Sequence, residues 1–317
     1  MTNVSDDLSA DSLSTPVNGL NLPGVEALDR GCEICGALTA REMYTATDRL
    51  RNSDQLFVIA RCEGCGVLRT LPEMSDCELG AFYPNDYWGG IPSNKWIRES
   101  QSEKTSFLER CGLTKGRILD VGCGPGFFLR ALDSAKWERF GVETAGRAAT
   151  AAARALGDRR VFEGTLLNSG LEGGSFDVVT MWSALEHMNA PRAGLIEARR
   201  IIKGAGSLIV QAPNAGGYQL RLFRGDCFSL DAPRHRYHFT SEGLDRLLAE
   251  TGFEVYERVF FSRSHDSHAL RQSLKAKLRR KGFYPVFYLA NPFIRPFDWV
   301  MRRLGGGGTM TIAARAS

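Results

Sequence analysis

The chain has 317 residues, enough for one large domain or two modest ones, and its 43% hydrophobic and 24% charged residues are ordinary for a water-exposed globular protein. A net charge of +4 is too small to imply nucleic acid by itself, and no run of 18 apolar residues is present to form a membrane-spanning helix. Residues 1–30 read as a disordered tail, because Met1 to Pro23 is polar, acidic and rich in Ser, Asp and Asn. That segment lacks the basic start and apolar stretch of a secretory leader, so a cytoplasmic protein with reduced cysteines is expected.

Residues 31–75 hold Cys32-x2-Cys35 and, after 26 residues, Cys62-x2-Cys65, each pair followed by a glycine, Gly36 and Gly66. Two tight turns that each aim two thiolates at one point predict a tetrahedral Zn2+ site. Four protein ligands leave no position open, so the ion is structural. Ribbon strands are expected at Leu56–Ala60 and Val67–Thr70, while Cys77, Cys111 and Cys227 have no partner pattern and read as packing residues. Residues 76–115 read as a linker or lid, marked by the aromatic run Ala81-Phe82-Tyr83-Pro84-Asn85-Asp86-Tyr87-Trp88. Packing between modules, capping of the cofactor pocket and substrate binding are all open roles for that run.

From residue 116 to 317 the pattern alternates. Strands are predicted at 117–121, 139–143, 159–163, 176–182 and 206–212, and helices at 127–137, 146–156, 191–203 and 241–251. Such alternation predicts an α/β fold, Rossmann-like, with a parallel doubly wound sheet. Two more strand-like runs follow, Glu254–Phe261 and Thr309–Ala314. Between them, at about 263–304, lies an insertion in which Leu270, Leu274 and Leu278 recur every fourth residue among Arg271, Lys275, Lys277, Arg279, Arg280 and Lys281. This basic amphipathic helix leads into aromatics from Phe283 to Trp299, a pattern suited to a membrane surface, a lipid-linked substrate or plain packing on the core.

The first strand ends in Asp120-Val121-Gly122-Cys123-Gly124-Pro125-Gly126, a glycine turn that brings backbone close to a ligand. The third glycine comes one residue too early for the dinucleotide fingerprint G-x-G-x-x-G. Glu143 follows 19 residues after Gly124, at the next strand end, where an acid can accept hydrogen bonds from both hydroxyls of a ribose. The pair D-V-G-C-G-P-G and G-V-E resembles motif I and the following acid of class I S-adenosylmethionine-dependent methyltransferases. The resemblance, which covers about residues 31–317, implies a seven-stranded methyltransferase core closed by an antiparallel hairpin and preceded by a zinc ribbon.

It further implies that Gly122, Cys123, Gly124 and Gly126 pass under the cofactor, that Asp120 orients this loop or reaches the methionine amine through water, and that Glu143 holds the ribose. Thr165 and Leu166 fall where the family clamps the adenine, and Trp182 and Ser183 where it lines the transfer site. Ser183-Ala184-Leu185-Glu186-His187 resembles the L-E-H segment of ubiquinone-biosynthesis-type methyltransferases, which makes His187 a candidate base. Pro233-Arg234-His235-Arg236-Tyr237-His238-Phe239-Thr240 resembles the P-R-H-x-x-H-F-T signature of a methyltransferase group often found with polysaccharide or secondary-metabolite genes. There His235 or His238 is the expected base, Tyr237 its hydrogen-bond partner, and Arg234 and Arg236 are candidates to hold a substrate anion. A structural role in closing the loop is the alternative for each.

Deoxysugar C-methyltransferases also begin with a cysteine-rich module but usually carry a further C-terminal domain, so O-methylation is expected ahead of C-methylation. The expected acceptor is a sugar or other small hydroxylated metabolite, lipid-linked forms included, with peripheral membrane contact through 263–304. RNA methylation with the ribbon as reader is the alternative; the stretch 271–281 favours it, and the modest charge and acidic N-terminus oppose it. A non-catalytic cofactor-binding scaffold is opposed by the intact Asp120, glycines and Glu143.

Overall fold

The computed structural model describes residues 31–317 apart from 52, 85, 86, 88–91, 261, 263, 264, 285, 304 and 305. The expected tail at 1–30, and Asn85, Asp86 and Trp88 of the aromatic run, lie outside the described residues. In chain order come strands β1 (Ala40–Thr47), β2 (Leu56–Cys62) and β3 (Leu68–Leu71), then helices α1 (Asp76–Gly80) and α2 (Asn94–Arg110). The alternating region follows as β4 (Gly116–Val121), α3 (Phe127–Ala131), β5 (Trp137–Glu143), α4 (Gly146–Leu156), β6 (Val161–Glu163), β7 (Phe176–Trp182), α5 (Pro191–Ile201) and β8 (Ile202–Pro213). Next are α6 (Tyr218–Phe223), β9 (Tyr237–His238), α7 (Ser241–Glu250), β10 (Phe253–Val259), α8 (Asp266–Arg280), α9 (Val286–Ala290), α10 (Ile294–Arg303) and β11 (Thr309–Ala316).

Seven strands form one sheet in the order β10-β11-β8-β7-β4-β5-β6. β4 to β8 run parallel, and β11 pairs antiparallel with both β8 and β10, as the expected closing hairpin. The parallel strands are apolar on both faces because both are covered. Leu119, Val121, Val179 and Met181 pack into one core, and Ile118, Val178 and Trp182 into the other. This is a Rossmann-like α/β fold with a seven-stranded sheet. The chain leaves β4 toward β5 on one side, while β7 lies on its other side, so a crevice opens where their carboxyl ends diverge.

Two helices end earlier than their patterns predict. α3 stops at Ala131, because the Asp133 carbonyl accepts from the Trp137 amide and Trp137 enters β5 as a buried core residue. α5 stops at Ile201, because Ile202 already pairs with Phe176.

The smaller sheet has the order β1-β2-β3-β9. Its fourth strand is the histidine segment: Leu68 pairs with His238 and Arg69 with Tyr237. Against its other side pack Leu270, Leu274 and Leu278 of α8, in one apolar cluster with Phe57, Ile59 and Phe223. Among the described residues no helix is long and apolar enough to cross a membrane.

Candidate functional site

The four cysteines converge. Cys32 Sγ lies 3.8 Å from Cys65 Sγ and Cys35 Sγ 3.5 Å from Cys62 Sγ, and all four sulfurs fall within 4.8 Å of one another. Thiolates held at about 2.3 Å around one tetrahedral ion sit about 3.8 Å apart, so the cluster can hold a structural zinc. Both turns are built alike: Gly36 and Gly66 take φ of 75° and 76° and donate their amides to the carbonyls of Cys32 and Cys62. That left-handed backbone is why a glycine follows each pair.

At the carboxyl end of β4, Gly122, Gly124 and Gly126 all adopt positive φ. A Cβ on Gly122 would lie 3.0 Å from Ala184 Cβ, so the glycine loop touches the segment that leaves β7. Glu143 is buried at the end of β5; its two oxygens accept from the amides of Gly124 and Ala145, each at 2.8 Å. A carboxylate has about four lone-pair sites, so one on each oxygen is left for a vicinal diol. Cys123 is buried in the core beneath, and Trp182 stacks edge-on to Phe128 with its indole N–H buried and without a partner among the described residues. Ser183 holds a φ of 52°, uncommon outside glycine, as its amide donates to Gln211. Leu166 is a core residue, whereas Thr165 is half-buried at the start of a short turn. A buried carboxylate with a free lone-pair site on each oxygen, set beside a glycine loop, fits the ribose of a nucleoside.

Asp120 is 3% exposed and accepts from Thr180 Oγ1 at 2.7 Å. Burial pushes its pKa up from 3.8 to about 7, against the opposing pull of that bond and of the Lys104 ammonium. The folded chain thus keeps a proton that the unfolded chain releases near pH 4, so stability falls as pH rises through about 4 to 7. Asp120→Asn should flatten this part of the stability–pH curve in urea unfolding measured between those limits. Equal slopes in both proteins would show that Asp120 is ionised throughout.

Three imidazoles meet after β7 and before α7. The rings of His187 and His235 are 4.7 Å apart edge-to-face, and those of His235 and His238 6.3 Å apart. His187 Nδ1 donates to the Arg234 carbonyl and His235 Nδ1 to the Ser229 carbonyl, both at 2.9 Å. The Thr70 hydroxyl gives its proton to the His235 carbonyl, so His238 Nε2 is the donor in its 3.0 Å contact with Thr70 Oγ1. Each ring therefore keeps one nitrogen lone pair. Burial pushes the pKa of His187 and of His238 down to about 3 and lowers that of His235, so all three are neutral near pH 7. Glu186, next to His187, is fully buried, and burial pushes its pKa up to about 8.

The two arginines do not face an open site. Arg234 is fully buried and bonds Asp48 at 2.8 Å, Asp231 at 2.6 Å and the Phe82 carbonyl. Arg236 bonds Asp76 at 2.7 Å and the carbonyls of His187 and Met74. Both guanidiniums hold the loop instead of a substrate anion. Tyr237 is also turned away: on the two-residue strand it faces opposite to His238, in the core with Cys32 and Cys62, its hydroxyl donating to Asn189. The aromatic run contributes Tyr83, whose hydroxyl is 3.2 Å from His187 Nδ1. Lys104 of α2 was not foreseeable: its ammonium sits 5.3 Å from the Trp182 ring and 6.0 Å from that of Phe128, and burial lowers its pKa.

The sequence profile of the family described as "Methyltransferase domain" matches residues 95–258. Two proteins of Mycobacterium tuberculosis, from strains CDC 1551 and H37Rv, each named "Probable S-adenosylmethionine-dependent methyltransferase", are 26% identical over 161 residues. The matched part is 50% of this chain and 56% of each relative, so the chain spans about half the length of these relatives. A solved S-adenosylmethionine-dependent methyltransferase from Archaeoglobus fulgidus is 18% identical, with a TM-score of 0.47 over 70% of this chain and 94% of its own.

Proposed function

Because the chain belongs to the methyltransferase-domain family, matched over residues 95–258, we propose that it methylates a hydroxyl of a sugar or similar small polyol from S-adenosylmethionine. The observation that carries this reading is the contact of Gly122 with Ala184. It sets a loop suited to a nucleoside against the segment that bears Glu186 and His187, so the two halves of a transfer site adjoin. S-adenosylmethionine, when bound, supplies an electrophilic methyl group. Glu143 holds its ribose, the loop 122–126 lies beneath it, and Trp182 and Ser183 border the site. An acceptor hydroxyl needs alignment and a destination for its proton. The histidine cluster supplies lone pairs for that proton, and Asp231, 4.0 Å from His235 Nε2, balances the charge that forms. The structural zinc fixes the ribbon and takes no part in the chemistry.

The acceptor is read as lipid-linked, worked on at an anionic membrane surface. Tyr288, Leu289 and Phe293 are 67%, 75% and 70% exposed, and Phe283, Phe297 and Trp299, also exposed, lie in the same stretch of chain beyond the basic end of α8. Apolar rings beside exposed Arg279, Arg280 and Lys281 suit the headgroup boundary. The test is transfer of a labelled methyl group from S-adenosylmethionine to free sugars and to polyprenyl-linked sugars in anionic vesicles. Label in the vesicle fraction is expected. Label on free sugars alone would overturn the lipid-linked reading, and transfer to neither would overturn the choice of acceptor.

A further inference from the structure

We propose that Glu186, His187 and His235 bind one divalent first-row transition cation, distinct from the four-cysteine zinc. A carboxylate oxygen of Glu186 and one ring nitrogen from each histidine lie within 4.8 Å of one another. Ligands held at about 2.1 Å around a shared ion sit roughly 3–4 Å apart, so a small side-chain adjustment closes the set.

The carboxylate is the observation that points to an ion. Glu186 is 0% exposed, and neither side-chain oxygen has a hydrogen-bond partner among the described residues. A buried carboxyl group whose oxygens lack any partner is costly even when it is neutral, and such groups are nearly always paired. The cations nearest in sequence to the cluster do not serve it. Arg234 is taken by Asp48, Asp231 and the Phe82 carbonyl, and Arg236 by Asp76 and two carbonyls.

The histidines hold the tautomer that a ligand needs. Each gives its Nδ1 proton to a backbone carbonyl, Arg234 for His187 and Ser229 for His235, which leaves Nε2 with its lone pair. A ligating histidine is typically oriented by such a bond from its other nitrogen. Two imidazoles and one carboxylate suit Mn2+, Fe2+ or Zn2+ better than Ca2+ or Mg2+, which prefer oxygen alone. Three protein ligands also leave a position open for an outside oxygen. On the methyl-transfer reading, on which this use of the ion rests, that oxygen is the acceptor hydroxyl. The cation would acidify it, and its proton would be released to water.

The test is titration of the zinc-loaded protein with Mn2+, counting free Mn2+ by electron paramagnetic resonance, alongside calorimetry with S-adenosylhomocysteine. One Mn2+ per chain, displaced by excess Zn2+, is expected in the wild type. Glu186→Gln and His235→Asn should each weaken Mn2+ binding at least tenfold, about 1.4 kcal/mol, and keep S-adenosylhomocysteine binding as a sign of a folded core. Absence of saturable Mn2+ binding together with no zinc beyond one per chain, or variants that bind Mn2+ as the wild type does, would overturn the site. Mn2+ binding without S-adenosylhomocysteine binding would leave the cation site standing and remove the methyl-transfer reading instead.

Discussion

Glu143→Ala should weaken S-adenosylhomocysteine binding by at least about 100-fold in calorimetric titration, with the fold intact. Hydrogen bonds to a charged group contribute about 1.5–3 kcal/mol each, and two ribose hydroxyls on one carboxylate give roughly 3–6 kcal/mol. That range corresponds to a loss of about 10²- to 10⁴-fold in affinity. The same carboxylate accepts from Gly124 and Ala145, so its removal also loosens the glycine loop that must lie under the ligand. Glu143→Gln separates the two effects. The amide keeps one acceptor oxygen but turns a donor toward one of the two N–H groups, so it should bind better than the alanine variant and worse than the wild type. A variant with wild-type affinity would place the ribose elsewhere and remove the role given to the second strand's acid. The product is the right probe because it binds without turning over.

What could be read from the sequence follows from how local each signal is. The strands of the parallel sheet were legible because burial on both faces makes them continuous apolar runs, as in Val178-Val179 and Leu208-Ile209-Val210. The glycine loop and Glu143 were legible because a positive φ and a buried strand-end acid each demand a residue type. Helix α2 was not: Asn94–Arg110 buries only Ile97, Phe107 and Leu108, too few to show a periodic stripe, so Lys104 went unseen with it.

Nonlocal partners account for the rest. Arg234 looks like an anion-binding residue until Asp48, 186 positions away, is found against it. Tyr237 looks like a partner for the histidines until pairing of β9 with β3 turns it to the opposite face. Glu186 stood in view within the L-E-H segment without a role, because the lack of a partner is a property of the packed interior. The pairing of β9 with β3 also joins the cysteine-bearing sheet to the histidine loop, a link that neither motif carries alone.

That link makes zinc removal the second large effect. Cys35→Ser, chosen because Cys35 is exposed and its replacement opens no core cavity, should lose zinc and with it hydrogen-exchange protection over β1, β2, β3 and β9 together. A small four-stranded sheet has little core of its own, and a structural zinc site contributes folding free energy directly. Once β3 frays, Thr70 no longer holds His238 or the His235 carbonyl, and the loop that orients the imidazoles is released. The seven-stranded sheet carries Glu143 and the glycine loop on β5 and β4, which do not pair with the ribbon. S-adenosylhomocysteine should therefore bind the variant within about threefold of the wild type, while methyl transfer falls by 100-fold or more, since misplacement of catalytic groups by about 1 Å can cost about that much. Stripping the wild type with a chelator should give the same split between binding and turnover, and zinc should restore turnover to the stripped protein but not to Cys35→Ser. Retained protection over β9 in zinc-free protein would show that the apolar contacts of Phe57, Ile59 and Leu68 hold the ribbon without the metal. Loss of ligand binding together with turnover would instead make the ribbon part of the core's own folding unit, consistent with Cys32, Cys62 and Val67 packing in one cluster with Leu119 and Val179.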